Sequence, residues 1–187
     1  MKKKIALVVV IISLIAMGIS GTMAYFTADS TATNVITAGN IDIDLIEMEK
    51  TDEGLKPFED KDGVMPGDVI SKIVTVKNTG DNEAYIRVQV KKMITLAGDA
   101  TGSAELSLLS CDINTNDWTY SKGYYYYNKP LAAGEETAPL FENVTFSAAM
   151  GNEYQNCEAQ IDVAAYAVQV KNNGATVLDA AGWPEVE

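Results

Sequence analysis

The chain of 187 residues contains no histidine, and this limits the chemistry open to its other reactive side chains. Serine and cysteine nucleophiles usually need a histidine base, and histidine is the commonest protein ligand of zinc. The sequence therefore lacks Ser-His-Asp and Cys-His arrangements and any HExxH motif. A Ser-Lys pair stays open as an alternative, although no spacing indicates one. We predict that the protein is not an enzyme and has no catalytic residue, cofactor or bound metal.

One acidic stretch, EDKDGVMPGD at residues 59–68, has the composition of a calcium-binding loop. Aligning Gly63 with the glycine of such a loop places Phe58 at the first ligand position and Val69 at the last. Neither side chain offers an oxygen, so the register argues against a calcium loop. The other carboxylates fall largely at alternate positions of strand-like segments, which is typical of a solvated sheet face.

A run of four tyrosines lies in the stretch GYYYYNKPLAAGEET, residues 123–137. Such a run could form a platform on which sugars or bases stack. In a β-strand, however, successive side chains point to opposite faces, so Tyr124 and Tyr126 separate from Tyr125 and Tyr127. We therefore predict that one pair packs in the core and that the other covers a sheet face or edge.

The N-terminus has the organisation of a secretory signal peptide. Three lysines at positions 2–4 precede an apolar run from Ile5 to Ile19, and small residues follow at the exit, which reads TMA. We predict cleavage between Ala24 and Tyr25, which leaves one domain at residues 25–187. The alternative is an uncleaved membrane anchor. In both cases the rest of the chain is exported, and before cleavage its only membrane contact is through the signal.

Removing this signal makes an acidic protein more acidic. The chain has 14 basic and 26 acidic residues, so the loss of three lysines leaves 11 basic residues and a net charge of −15. This charge disfavours nucleic acids and anionic membranes as partners. The exported part contains both cysteines, Cys111 and Cys157, which could form one disulfide in an oxidising environment. The alternative is two buried thiols, and no CxxC spacing indicates a metal site.

Beyond the signal, hydrophobic residues alternate with polar ones, which indicates β-strands separated by turns. The clearest cases are the segments NIDIDLIEME, VISKIVTVK, EAYIRVQVKKMITL, LFENVTFSA and EAQIDVAAYAVQVK. They predict an all-β sandwich or barrel without a convincing amphipathic helix. Its predicted core residues are Ile43, Val74, Val76, Ile86, Val88, Phe146, Ile161 and Val163.

Several of these segments, taken in order, resemble the TasA/camelysin family of exported proteins from Gram-positive bacteria. The stretches are TMAYFT, NVITAGNIDIDL, VMPGDVISKIVTVKNTGDNEAYIRVQV, GYYYYNKPLAAGEET and AYAVQVKNN followed by GW. The resemblance implies a jelly-roll antiparallel β-sandwich, processing by a SipW-type signal peptidase and assembly into fibres of the extracellular biofilm matrix. The camelysin branch carries a metalloprotease label, which we do not transfer because this chain lacks HExxH and histidine.

The resemblance also implies that the freed N-terminal segment adds a strand to the next subunit. Residues 25–36 suit this role, because Tyr25, Phe26, Val35 and Ile36 are apolar handles on a β-capable segment. Head-to-tail donation does not close on itself, so it produces homopolymeric filaments. The alternatives are a loose tail or pairing of this segment within its own domain.

The predicted function is therefore an exported structural subunit, located in the extracellular matrix or at the cell surface. A monomeric secreted or cell-surface binding protein is the alternative, and a camelysin-like protease is a third. The sequence does not identify any other matrix component.

Overall fold

The computed structural model describes residues 26–29, 32–38, 41–98 and 103–184. The predicted signal peptide and the cut at Ala24 and Tyr25 lie outside these residues. The described part contains two short 3-10 turns, Leu106–Leu108 and Asn152–Tyr154. It also contains twelve strands: β1 Phe26–Asp29, β2 Ala32–Ala38, β3 Ile43–Thr51, β4 Gly54–Pro57, β5 Lys61–Val64, β6 Val69–Asn78, β7 Ala84–Thr95, β8 Leu109–Cys111, β9 Trp118–Ser121, β10 Tyr124–Tyr127, β11 Phe141–Phe146 and β12 Glu158–Gln169.

The long strands form where the sequence alternates. In β12, Ile161 and Val163 are buried, whereas Asp162 between them is partly exposed. This period of two places one set of side chains against the core and the other on the outer face. The five alternating segments of the sequence correspond to β3, β6, β7, β11 and β12, so the all-β prediction is confirmed.

The strands form two sheets. The first has the order β5-β1-β12-β7-β10-β9, with β2 also paired to β12, and the second has the order β4-β3-β6-β11-β8. Among the described strands the pairing is antiparallel, except that β1 and β2 run parallel to β12. The N-terminal segment therefore departs from a purely antiparallel sandwich. The jelly-roll order of connections stays a prediction.

The two sheets pack against each other around one hydrophobic core. Val74 and Phe141 come from the second sheet and Val88 and Val163 from the first, and all four belong to the same buried cluster. The eight core residues predicted from the sequence are all buried, none with more than 5% of its surface exposed. The sandwich architecture therefore follows from apolar faces on both sheets.

The outer face of the first sheet carries a second, smaller cluster. Tyr85, Tyr126 and Val168 on three neighbouring strands pack with Val177, which lies beyond the end of β12. Residues 170–184, which we call the C-terminal strap, thus fold back over the sheet. The strap thus buries Tyr85 and Tyr126 on the face of the sheet opposite the main core.

Candidate functional site

The N-terminal segment lies along one edge of β12. In β1 the register partners run from Thr27 opposite Glu158 to Asp29 opposite Gln160. In β2 they run from Ala32 opposite Val163 to Ala38 opposite Val168, with one irregularity. β1 and β2 thus follow most of one edge of β12, which with β7 is one of the two longest strands of the sheet. Without them, that edge of β12 would present unpaired backbone groups.

β1 is an internal strand, because it also pairs with β5 on its other side. Phe26 lies opposite Val64 and Ala28 opposite Lys61, which leaves two residues of β5 facing one residue of β1. Gly63 lies in this bulge with φ +71°, a conformation that glycine adopts without strain. The stretch that resembles a calcium loop is therefore a bulged strand beside the N-terminal segment.

The sequence predicted Phe26, Val35 and Ile36 as an assembly strand, and these residues lie in β1 and β2. Phe26 lies opposite Val64 of β5 and Ile36 opposite Tyr166 of β12, so both pair within the same chain, the alternative noted from the sequence. Tyr25, the fourth residue of the predicted set, lies outside the described residues. The segment is β-structured as predicted, and its partner edge is the residue run 158–168.

β5 is tied to the second sheet by a buried carboxylate. Glu49 on β3 is 3% exposed and forms ion pairs with Lys61 on β5 and with Lys56 on β4, the latter at 3.0 Å. Burial by itself raises the pKa of Glu49, but the hydrogen bonds from Lys61 and Lys56 outweigh it and hold the pKa below its usual value. Glu49 is therefore charged at neutral pH and links β3, β4 and β5.

A second buried ion pair lies on the same face of the second sheet. The Lys72 ammonium is 2.8 Å from a Glu47 carboxylate oxygen and 4.0 Å from the centre of the Phe58 ring. Burial lowers the pKa of Lys72, and the attraction of Glu47 partly offsets this effect. Sequence reasoning missed both ion pairs. The available signal was the alternation of Glu47 and Glu49 on a strand followed by several lysines.

An open cleft of about 400 Å³ adjoins β5. Its lining includes Lys61 and Val64 of β5, Ile70 and Ser71 of β6, and Glu49 of β3. The cleft thus lies between β5 and the second sheet. It leaves room beside β5 for local displacement of that strand.

The tyrosine run divides as predicted. Tyr127 packs in the main core with its ring 5.0 Å from that of Trp118, whereas Tyr126 lies in the outer cluster against Trp183. Tyr124 faces the same outer side as Tyr126. Tyr125 packs against the main core, as Tyr127 does, and also contacts Tyr120 across the β9–β10 hairpin, with ring centres 4.9 Å apart. The prediction of one pair in the core and one over a sheet face is therefore confirmed in outline.

Arg87 lies on the outer face of the first sheet beneath the C-terminal strap. Its guanidinium is 3.9 Å from the centre of the Tyr124 ring and 4.7 Å from that of Trp183, and its Nη2 donates a hydrogen bond of 3.0 Å to the Pro184 carbonyl. An arginine stacked on aromatic rings stabilises the fold most when it is desolvated, and Arg87 is only 8% exposed. Arg87 therefore anchors the strap.

Both cysteines are free thiols, and no bond joins them in this structure. Burial raises the pKa of Cys111 and of Cys157 to about 11, so both thiols are protonated at neutral pH. Within the described residues, no three His, Cys, Asp or Glu side chains are grouped so that they could hold a metal ion. In the same part of the chain, no helix has the length and apolarity required to cross a membrane.

The chain matches no family model, no curated protein and no solved structure. The resemblance to the TasA/camelysin family thus depends on the sequence motifs alone.

Proposed function

We propose that this protein is an exported structural subunit that assembles into extracellular fibres of the biofilm matrix by donating its N-terminal strand. A SipW-type signal peptidase would cleave after Ala24 and so free the segment that begins at Tyr25. Each copy would place that segment on β12 of the next copy. The partner is thus a second copy of the same chain, and no catalysis is involved.

The observation that carries the proposal is the position of β1 between β5 and β12. A segment that completes a sheet through backbone hydrogen bonds can come from its own chain or from an identical one, because the ladder is the same in both cases. The pairing within one chain describes a self-complemented monomer. Exchange of residues 26–38 between copies would preserve each register pair and convert monomers into an open filament.

The connection to the rest of the domain also suits exchange. β2 ends at Ala38 in the first sheet and β3 begins at Ile43 in the second, so the segment joins the domain through a few residues. Gly39 and Asn40 are residue types that accept many backbone conformations. A change of direction at this point would send the segment to a neighbour without altering the sandwich.

A pair of introduced cysteines can distinguish the two arrangements. Thr33 and Ala164 are register partners, and neighbouring strands lie about 4.8 Å apart, within disulfide range. The variant Thr33→Cys/Ala164→Cys is made without the native thiols, using Cys111→Ala and Cys157→Ala. It is assembled under reducing conditions and oxidised, and a non-reducing gel is run. Donation predicts a ladder of covalent multimers.

The matched control is Gln89→Cys/Ala164→Cys, which joins β7 to β12 within one sandwich. It should give monomers only. Filaments whose Thr33→Cys/Ala164→Cys subunits also run as monomers would contradict strand donation. Absence of filaments from the purified mature chain at any concentration would contradict the fibre function itself.

The exposed ring of Tyr120, which contacts the partly buried Tyr125, favours the second candidate, a monomeric binding protein for carbohydrate. Tyr120 is 64% exposed and presents a ring next to Tyr125, and sugars stack on such surfaces. Titration of the mature chain with matrix polysaccharide, followed by tyrosine fluorescence, tests this candidate. Saturable binding that Tyr120→Ala abolishes, by a chain that stays monomeric, would favour it over the fibre.

A further inference from the structure

The short strand β5 has an unusual position in the sandwich. Its strand partner among the described residues is β1, and it lies at the end of the first sheet. Of its four residues only Val64 is buried, whereas Asp62 and Gly63 are exposed. A strand with so little buried surface opens at low free-energy cost compared with the central strands.

Two features hold β5 in place apart from β1. At its end, Val64 packs in the core, and the turn that follows is closed by a 2.8 Å hydrogen bond from the Met65 amide to Asp68. At its beginning, Lys61 reaches the buried carboxylate of Glu49 on the second sheet. Since Lys61 also faces Ala28 of β1 across the ladder, this ion pair fixes the backbone that covers β1.

We propose that β5 is a latch over the N-terminal segment, and that the ion pair between Lys61 and Glu49 controls how often the latch opens. This inference rests on the proposed function, because the latch governs when the segment can leave its own domain and when a neighbour's segment can enter. β1 cannot exchange until both of its ladders break. Of the two strands that flank β1, β5 has much less buried surface than β12, and the adjoining cleft gives it space to move.

Two lysines on the same carboxylate provide a matched test. Lys61 and Lys56 both pair with Glu49, but Lys61 lies on β5 whereas Lys56 lies on β4 in the other sheet. Lys61→Gln and Lys56→Gln change the net charge equally. Lys61→Arg keeps the ion pair and should behave like the unmodified chain.

The first readout is amide hydrogen exchange of the mature monomer, kept below the concentration at which filaments form. We expect Lys61→Gln to raise the exchange of β1 and β5 amides about tenfold, the change that 1.4 kcal/mol makes in an equilibrium constant. Amides of β7 and β12 outside the contact with β1 should not change. Lys56→Gln should leave β1 and β5 near the unmodified rate.

The second readout is uptake of a labelled synthetic peptide of residues 25–38, the donor probe. Lys61→Gln should bind the peptide about tenfold faster than Lys56→Gln. Equal rates of exchange and of uptake in the two variants would overturn the latch. If Lys61→Gln does not fold, exchange in the unmodified chain decides. In the unmodified chain, the amides of β1 and β5 must exchange through a shared opening that costs less free energy than global unfolding. Exchange of the β1 amides only through global unfolding would overturn the proposal.

These outcomes separate the latch from the fibre function. Filaments that form at the same rate in all variants, with ladders in the cysteine test, would leave strand donation intact and remove the latch. A chain that never forms filaments would remove the fibre function, and hydrogen exchange would still report on the latch in the monomer.

Discussion

Both ends of the described chain pack on the first sheet, but they use different parts of it. The N-terminal segment lies along the edge of β12 and is held by the backbone ladders of Thr27–Asp29 in β1 and Ala32–Ala38 in β2. The C-terminal strap lies on the outer face and is held by side chains, with Trp183 against Tyr126 and Arg87. One end thus adds a strand, and the other adds a cover.

The difference has a consequence for exchange between copies. Backbone ladders depend little on side-chain identity and can be supplied by any chain in the right register. The strap depends on specific aromatic contacts and on hydrogen bonds such as the one from the Tyr85 hydroxyl to the Gly174 carbonyl, 3.0 Å long. We therefore expect the N-terminal segment to govern assembly and the strap to govern stability.

Deletion of residues 25–36 tests the edge and should have the largest effect. It removes most of the ladder on β12, each hydrogen bond contributing about 0.5–1.5 kcal/mol net. The sandwich should still fold, because its core begins at Ile41 and lies between the two sheets. We expect normal β-sheet circular dichroism, a lower denaturant midpoint and no filaments by electron microscopy. A folded deletion variant that makes normal filaments would falsify strand donation.

Trp183→Ala tests the cover. Loss of a partly buried indole should lower the free energy of unfolding by about 3 kcal/mol, since it removes contacts with both Tyr126 and Arg87. Filaments should still form at temperatures where the variant is folded. Leu178→Ala in the same strap is the control, because Leu178 is 52% exposed and should cost under about 0.5 kcal/mol. Loss of filaments in folded Trp183→Ala would mean that the strap takes part in assembly.

Deletion of residues 179–187 should likewise leave polymerisation intact.

Glu49→Gln tests the tie between β5 and the second sheet. The pKa of Glu49 lies below its ordinary value of 4.5, so its charge stabilises the fold above that pH and the contribution is lost as pH falls through the lowered pKa. We expect Glu49→Gln to cost about 2 kcal/mol at pH 7. Urea titrations should show that the difference in free energy of unfolding between Glu49→Gln and the unmodified chain narrows below pH 4.5.

Glu59→Gln is the control for this pH dependence. Glu59 is exposed and pairs with Lys56 at 3.3 Å on the outer rim. Its removal should leave the pH profile of stability almost unchanged, because exposed ion pairs contribute little. If the difference in free energy of unfolding between Glu49→Gln and the unmodified chain stays constant from pH 7 to pH 3, Glu49 does not titrate as the structure requires.

The smallest effect concerns the cysteines, of which Cys111 lies on β8 in the second sheet and Cys157 directly precedes β12. Because burial raises the pKa of Cys111 and Cys157 to about 11, alkylation at pH 7 should be slow in the folded chain and fast in denaturant. Mass spectrometry after alkylation measures this directly. Two alkylated thiols in denaturant without reductant are expected, and none would indicate the disulfide that the sequence left open.

The fold was predictable where burial follows a simple period. Ile161 and Val163 alternate with Asp162, so β12 and its buried face could be assigned from the residues. β5 was not predictable in this way, because Asp62 and Gly63 interrupt any alternation and the bulge depends on the strand opposite. Tyr85 and Arg87 alternate with the core residues Ile86 and Val88, and they are buried as well because the strap covers the opposite face.

The candidate site was predictable only in part. Phe26, Val35 and Ile36 could be recognised as members of a β-capable segment, but the edge that receives them could not, since β12 lies more than a hundred residues away in the sequence. The link between Lys61 and Glu49 was missed for a similar reason. Ion pairs between strands depend on register and on the sheet to which each strand belongs.

The sequence by itself determined an all-β chain, its main core and the absence of histidine chemistry, because residue type and a period of two are local properties. Only the tertiary structure decided that β1 lies between β5 and β12, that it runs parallel to β12 and that the strap covers Arg87. These features depend on which distant strands become neighbours. The pairing of distant strands is set by the packing of whole sheets, and no single segment of sequence specifies it.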